Sequence, residues 1–198
     1  MGAIAILEPN QAVMARRDRL VEGLAAILPG ENLITDPHEL VPYETDGFTA
    51  YARVPLAVVL PTSTEEVSRI LAFCHAERVS VVPRGAGTSL CGGAIPSEDC
   101  IVLGVAKMSR LLEVDYANRT ARVQAGITNI AISQEVGENG FFYAPDPSSQ
   151  LACTIAGNIA MNAGGAHCLK YGVTTNNLLG VKLVLVDGTV VDLGGAHL

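Results

Sequence analysis

Tryptophan is absent from the 198 residues, and aromatic side chains make up only 5% of them. Packing therefore falls to alanine, valine, leucine and glycine, which suits an enzyme domain whose backbone lies close to a ligand. Positive charge is scarce as well: 13 basic residues face 20 acidic ones, a net charge of −7. That sign, without a basic stripe, excludes duplex nucleic acid and an anionic membrane surface as partners. No apolar run approaches the length of a membrane span, so membrane insertion is not expected. The opening MGAIAILEP is apolar but short, lacks a basic flank and is cut by Glu8 and Pro9, so it does not read as a signal peptide. Ile6 stands where a myristoylation motif needs Ser or Thr.

Metal and disulfide patterns are missing too. The five cysteines (Cys74, Cys91, Cys100, Cys153, Cys168) contain no C-x-x-C pair. An odd, dispersed set reads as reduced thiols of a cytoplasmic protein and gives no iron–sulfur spacing. The four histidines (His38, His75, His167, His197) show no H-x-x-x-H spacing, so no metal site is expected.

What is present is a hydrophobic content of 49%, which excludes a disordered chain and allows one domain or two small ones. Residues 12–28 read as a helix with Val13, Leu20, Leu24 and Ile27 on one stripe, stopped by Pro29-Gly30. Residues 31–52 read as loop. LAVVLP (56–61) is a buried strand, TSTEEVSRILAFCHAE (62–77) a helix opened by a capping box, and VSVVP (79–83) a second strand. Together they predict a βαβ unit paired in parallel with a right-handed crossover. Further strands are expected over 101–105, 111–115 and 120–126, with a short helix over 128–139. The region 141–172 reads as loop around one small-residue helix. VKLVLVDGTVVDL (181–193) predicts a hairpin with Asp187-Gly188 in a type I′ turn. The fold class is α+β: a small βαβ lobe followed by a mainly antiparallel sheet lobe.

Two side-chain-poor stretches carry the functional reading. VVPRGAGTSLCGG (81–93) places Gly85, Gly87, Gly92 and Gly93 after a strand. A Walker loop is excluded because the stretch has no lysine, and the Rossmann fingerprint fails at Leu90. A Pro-led turn that leaves successive N–H groups pointing inward as an anion nest fits, with Thr88 and Ser89 adding hydroxyl donors. Arg84 is the only cation there. The competing reading is a glycine-rich surface loop without a ligand. In the second stretch (143–172), Thr154 is an N-cap candidate, and Thr154, Asn158 and Asn162 share a helix face beside Gly157. That face, with the helix N-terminus turned toward phosphate, suits a polar ligand. The alternative is that the two Asn side chains cap surrounding loops. Gly164-Gly165 is expected to end the helix.

With both stretches in hand, the chain resembles FAD-linked oxidases of the vanillyl-alcohol oxidase type, which carry the PCMH-type FAD domain. Within that family it is most similar to the D-2-hydroxyacid dehydrogenases, the group that includes FAD-binding glycolate oxidase subunits. The segments that carry the resemblance are VVPRGAGTSLCGGA, AISQ, YAPDPSSQ, CTIAGNIAMNAGGAHCLKYGVTTNNLLG and LVDG. The resemblance implies a PCMH-type FAD-binding fold in which Pro83, Arg84, Gly85, Ala86, Gly87, Thr88, Ser89 and Leu90 wrap the FAD pyrophosphate. It places Pro145 and Asp146 close to the isoalloxazine with Ser148 and Ser149 nearby. Thr154, Ile155, Gly157, Asn158, Ala160, Asn162 and Gly165 then line the ribityl–pyrophosphate path, which Gly172 closes. Some relatives hold flavin covalently through a histidine of the glycine loop; that slot is Thr88 here, so noncovalent FAD is expected.

The resemblance also implies a layout. Residues 1–51 form a helical and loop extension, 52–108 the first FAD-domain lobe with the βαβ unit and phosphate loop, and 109–198 a second lobe. That second lobe is expected to be truncated, with the family's C-terminal cap or substrate domain absent from this chain, so no catalytic residue is assigned. The implied activity is oxidation of a small 2-hydroxy acid, glycolate or D-lactate in type, with hydride passing to flavin. The implied partners are iron–sulfur and second flavin subunits of a glycolate oxidase-like complex, in the cytoplasm or peripheral to the inner membrane through those subunits. A nonenzymatic FAD-binding or assembly module of a multi-subunit oxidase is the alternative.

Overall fold

The computed structural model describes residues 8–195. The segment 1–7, on which the leader and myristoylation readings rest, lies outside the described residues, as does His197. One sheet contains β1 (Leu33–Ile34), β2 (Ala57–Val59), β3 (Val81–Arg84) and β4 (Ile101–Gly104) in the order β1-β2-β4-β3. β4 runs parallel to both β2 and β3, and β1 is antiparallel to β2. The strands of the expected βαβ unit therefore share a parallel sheet without touching. β4 is buried at every position and takes the centre. β3 contains the exposed Pro83, which lacks an N–H and is tolerated at an edge.

Side chains alternate between two cores, as period-2 geometry requires. Ala57, Val59, Ile101 and Leu103 face one core, and Val58, Leu60 and Val102 face the other. The first core is covered by α1 (Gln11–Met14), α2 (Arg17–Ala25) and α4 (Thr64–Glu77) through Val13, Leu20, Leu24, Leu28, Ile70 and Cys74. The single helix expected over 12–28 is thus two helices, broken where Arg16 leaves helical geometry at φ −104° and ψ 12°. Residues 31–52 are not all loop. They supply β1 and α3 (Pro37–Leu40), which Asp36 caps, elements too short to leave a periodic signal. Residues 13–34 share the first core and sheet with the lobe that follows them.

Beyond the parallel sheet the pairing is antiparallel. β5 (Leu111–Asp115) pairs with β6 (Thr120–Val123), and β7 (Gly180–Val184) with β8 (Val190–Gly194). α5 (Asn129–Gly137), α6 (Ile155–Met161) and α7 (Cys168–Tyr171) lie between the two hairpins. A third core gathers Ile127, Ile132 and Ile155. The turn joining β7 to β8 is not type I′, which needs positive φ at both central residues. Only Gly188 is left-handed, at φ +87°, and its N–H donates to the Leu185 carbonyl at 2.9 Å, giving a three-residue loop with a glycine bulge. α6 ends at Asn162, left-handed at φ +48°, before Gly164 is reached. No described helix is long and apolar enough to cross a membrane.

Candidate flavin site

The strand-to-loop junction at Arg84-Gly85 delivers the glycine loop to the start of α6. A Cβ on Gly85 would overlap Thr154 Oγ1, so the loop and the helix cap, far apart in sequence, touch only because residue 85 has no side chain. Thr154 is the N-cap, accepting from the Gly157 N–H at 3.2 Å. An antiparallel bridge joins it to Thr128, the N-cap of α5. These pieces enclose a cleft of about 400 Å³ lined by Gly85, Ala86, Ala106, Ser109, Gly126, Ile127, Thr128, Ala131, Ala152 and Thr154. Its walls are small, and none of those residues carries charge.

Among the described residues, the N–H groups of residues 85–90 donate to no backbone carbonyl and no side chain. Gly87 is left-handed at φ +71°, a conformation that turns adjacent amides to one side. Donors without acceptors beside an uncharged, glycine-walled cleft are what a polyanion with a bulky phosphate group requires. The residues present therefore fit the pyrophosphate of a dinucleotide.

The helix N-terminus contributes differently from expectation. The N–H groups of Ile155, Ala156 and Gly157 are spent on the Ile127 carbonyl, the Ala125 carbonyl and Thr154 Oγ1. The free amides are those of the glycine loop. Arg84 also turns away from the cleft. Its guanidinium donates to the Thr45 carbonyl at 2.6 Å and the Pro42 carbonyl at 3.3 Å, and lies over the Tyr43 ring. Burial pulls its pKa below the usual arginine value, with Asp46 acting in the opposite direction. Arg84 anchors the loop from beneath, where a Cβ on Gly87 would strike it.

The remaining sequence-predicted residues fall into distinct environments. Pro83 pairs with Leu103 in the edge strand, while Ala86, Thr88 and Leu90 are exposed and Ser89 is half-buried. Asn158 is 2% exposed and its Nδ2 has no partner, a buried donor awaiting an acceptor. Asn162 is used otherwise: its Oδ1 accepts from Thr175 N–H at 3.1 Å and Thr175 Oγ1 at 2.9 Å, capping a neighbouring loop. Ile155 packs in the third core, and Ala160 is exposed. Pro145 is buried, its carbonyl held by Asn129 Nδ2 at 2.8 Å. Asp146 accepts from the His167 N–H at 3.1 Å and contacts His167 Nδ1, and these hydrogen bonds, the backbone one foremost, lower its pKa. Gly165, at φ +103°, lies against the Asp146 backbone, and Gly172, at φ +79°, ends α7 against Asn176. Ser148 is exposed and Ser149 half-buried in the turn that follows Asp146.

Sequence reasoning missed the opposite wall of the cleft, Ala106, Ser109, Gly126, Ile127, Thr128 and Ala131. A Cβ on Gly126 would overlap the Val105 carbonyl, so that wall depends on a glycine as well. The signal was available in part: Thr128 is a cap candidate before an apolar-periodic run.

The family model described as "FAD binding domain" matches residues 55–194. The chain is 47% identical over 193 residues to the glycolate oxidase subunit GlcD of Escherichia coli strain K12, covering 98% of this chain and 37% of that protein. A solved alkyldihydroxyacetonephosphate synthase superposes with a TM-score of 0.82 at 23% identity, over 96% of this chain and 36% of that one. p-Cresol methylhydroxylase superposes with a TM-score of 0.71 at 22% identity, over 93% of this chain and 36% of that one. The fold is thus the PCMH-type flavin fold expected, and this chain spans little more than a third of the proteins it matches. With a cleft of unpaired amides that suits a dinucleotide pyrophosphate, and a family match over most of its length, the chain belongs to the FAD-binding domain family and its cofactor is FAD.

Proposed function

We propose that this chain is the flavin-holding part of an FAD-dependent dehydrogenase that oxidises a small 2-hydroxy acid, glycolate or D-lactate in type. The observation that carries the reading is the meeting of Gly85 with Thr154 at a cleft that Gly85 and Ala86 line, where the loop of unpaired amides over residues 85–90 begins. When bound, FAD supplies the two-electron acceptor for oxidation at the hydroxyl-bearing carbon. This chain's residues bind and orient it. The amides of residues 85–90 hold the pyrophosphate, with Thr88 and Ser89 adding hydroxyl donors. Asn158 Nδ2 offers its buried donor along the same path, and the Pro145–Asp146 turn rests against the isoalloxazine. Thr88 has no nucleophilic ring nitrogen, so the attachment is noncovalent. We assign the cleft-forming elements to a lobe of residues 52–108 and a lobe of residues 109–198, after an extension over 1–51 whose residues 13–34 pack on the first lobe.

The identity to a glycolate oxidase subunit supports the substrate class, and the word subunit in its name supports partners. Those partners are iron–sulfur and second flavin subunits that take the electrons onward, in the cytoplasm or against the inner membrane. A role for the chain alone as a nonenzymatic FAD-binding module is favoured by one observation: the cleft lining contains no titratable side chain. The experiment is direct. The purified chain is loaded with FAD and its absorbance recorded, and heat release of the chromophore separates FAD from FMN. Dye reduction is then measured with glycolate and with D-lactate. A flavin spectrum with no turnover supports the module reading for the isolated chain. Absence of flavin uptake overturns both.

A further inference from the structure

Asn129 is the first residue of α5 and 1% exposed, yet it sits beside an apolar cluster of Ile127, Ile132 and Ile155. It joins three stretches of chain. Its N–H donates to the Cys153 carbonyl at 3.1 Å, just ahead of the Thr154 cap, and its Nδ2 donates to the Pro145 carbonyl at 2.8 Å. Its Oδ1 has no partner. A buried amide with an unmatched acceptor is costly, and leucine, which has the same side-chain branching and no polar atom, would remove that cost. Retention of the amide is accounted for by the bond it makes to Pro145.

The far side of the same turn is also fixed. The Asp146 N–H donates to the Gly164 carbonyl at 2.9 Å, and Asp146 Oδ1 accepts from the His167 N–H at 3.1 Å. The turn is therefore gripped on one side by the Gly164–His167 loop and on the other by a single side chain. That side chain belongs to the residue after Thr128, which lines the cleft. Movement of the Pro145 carbonyl and movement of the cleft wall are thereby tied together.

We propose that Asn129 is a positioning residue: it sets the Pro145–Asp146 turn relative to the phosphate cleft and so fixes the wall against which the flavin ring rests. The inference depends on the reading above that FAD occupies the cleft with its ring toward this turn. It predicts that the ring half and the phosphate half of the cofactor respond differently to substitution. In the 198-residue chain, Asn129→Leu should weaken FAD binding roughly tenfold, alter the fine structure of the visible flavin band and leave ADP binding unchanged. Asn129→Asp adds a second readout, because a carboxylic acid can donate to the Pro145 carbonyl and a carboxylate cannot. Its flavin band should approach the wild-type shape at about pH 5 and depart from it at about pH 8, since burial raises a carboxyl pKa. The wild-type band should not change over that range. Wild-type FAD affinity and band shape in Asn129→Leu would overturn the positioning role while leaving the FAD site intact. Equal weakening of ADP and FAD, or an Asn129→Asp band that ignores pH, would also overturn it. Failure of the wild-type chain to take up FAD would remove the reading on which the role rests.

Discussion

At the scale of single residues, the site depends on contacts that exist because side chains are missing. Gly85 leaves room for Thr154 Oγ1, and Gly126 leaves room for the Val105 carbonyl. The first obstacle that a side chain at residue 85 meets is the helix cap. Gly85→Ala should therefore displace Thr154 Oγ1 and cost about 1 kcal/mol, the usual worth of an N-cap. Thr154→Ala should cost a similar amount on its own, and the double variant little more than Thr154→Ala, because the cap is lost only once. Urea unfolding of the four proteins tests this; strictly additive losses would sink it. Asp146 makes a second residue-scale prediction. Hydrogen bonds, first from the His167 N–H, hold its folded-state pKa below the ordinary value. A depressed carboxyl stabilises the fold above its unfolded pKa and loses that contribution as pH falls through the folded one. Asp146→Asn should be less stable than wild type at neutral pH and lose less stability below about pH 4. Parallel acid limbs in thermal unfolding would refute the assignment.

At the scale of elements, caps and turns decide where helices and strands begin and how they dock. α4 starts as the sequence suggests but with its bonds shared between two residues. Ser63 Oγ accepts from the Glu66 N–H at 3.2 Å, while Glu66 Oε2 accepts from the Thr62 N–H at 2.7 Å. The reciprocal bond thus reaches one residue past the cap. Ser63→Ala should cost about 1 kcal/mol in unfolding free energy without changing FAD affinity, since α4 lies under the sheet and away from the cleft. The β7–β8 hairpin is held through its turn. Gly188 is buried, its carbonyl accepts from Ser68 Oγ, and a Cβ there would lie 2.8 Å from the Ala72 Cβ. An isolated two-stranded sheet is marginal, so docking on α4 supplies what pairing alone does not. Gly188→Ala adds a left-handed penalty of about 1–2 kcal/mol to that collision. Hydrogen exchange of the β7 and β8 amides should quicken in this variant more than exchange in β2 and β4. Uniform quickening would show that the hairpin does not depend on this dock.

For the molecule as a whole, two cores flank one mixed sheet, and a third lies between the β5–β6 hairpin and α5–α6. The cleft falls where the loop after β3 meets the caps of α5 and α6, so a ligand there bridges the parallel sheet and the third core. Binding should consequently stabilise the entire chain. With FAD at a hundredfold excess over its dissociation constant, the gain is about 2.7 kcal/mol, a rise in melting temperature of roughly 5–10 °C for a chain of this size. An unchanged melting temperature at an FAD concentration that should saturate the site would mean that the folded chain does not bind the cofactor. The only arginine of the glycine loop is committed to the Thr45 carbonyl, so backbone dipoles are what this loop offers to a phosphate.

Sequence alone determined whatever is written in short-range sterics and periodicity. The apolar runs that became β2 and β4, the capping box of α4, the Thr154 cap, and the glycine loop that cannot pack were all legible, because their causes lie within a few residues of one another. The tertiary structure alone decided that β4 enters between β2 and β3, that Arg84 faces the Thr45 carbonyl rather than the cleft, and that the first amides of α6 are already satisfied. It also brought Gly126 and Asn129 to the site, residues unremarkable in their own stretches of chain. Those outcomes depend on which distant segments become neighbours, and that is set by the burial of the whole chain rather than by any local preference.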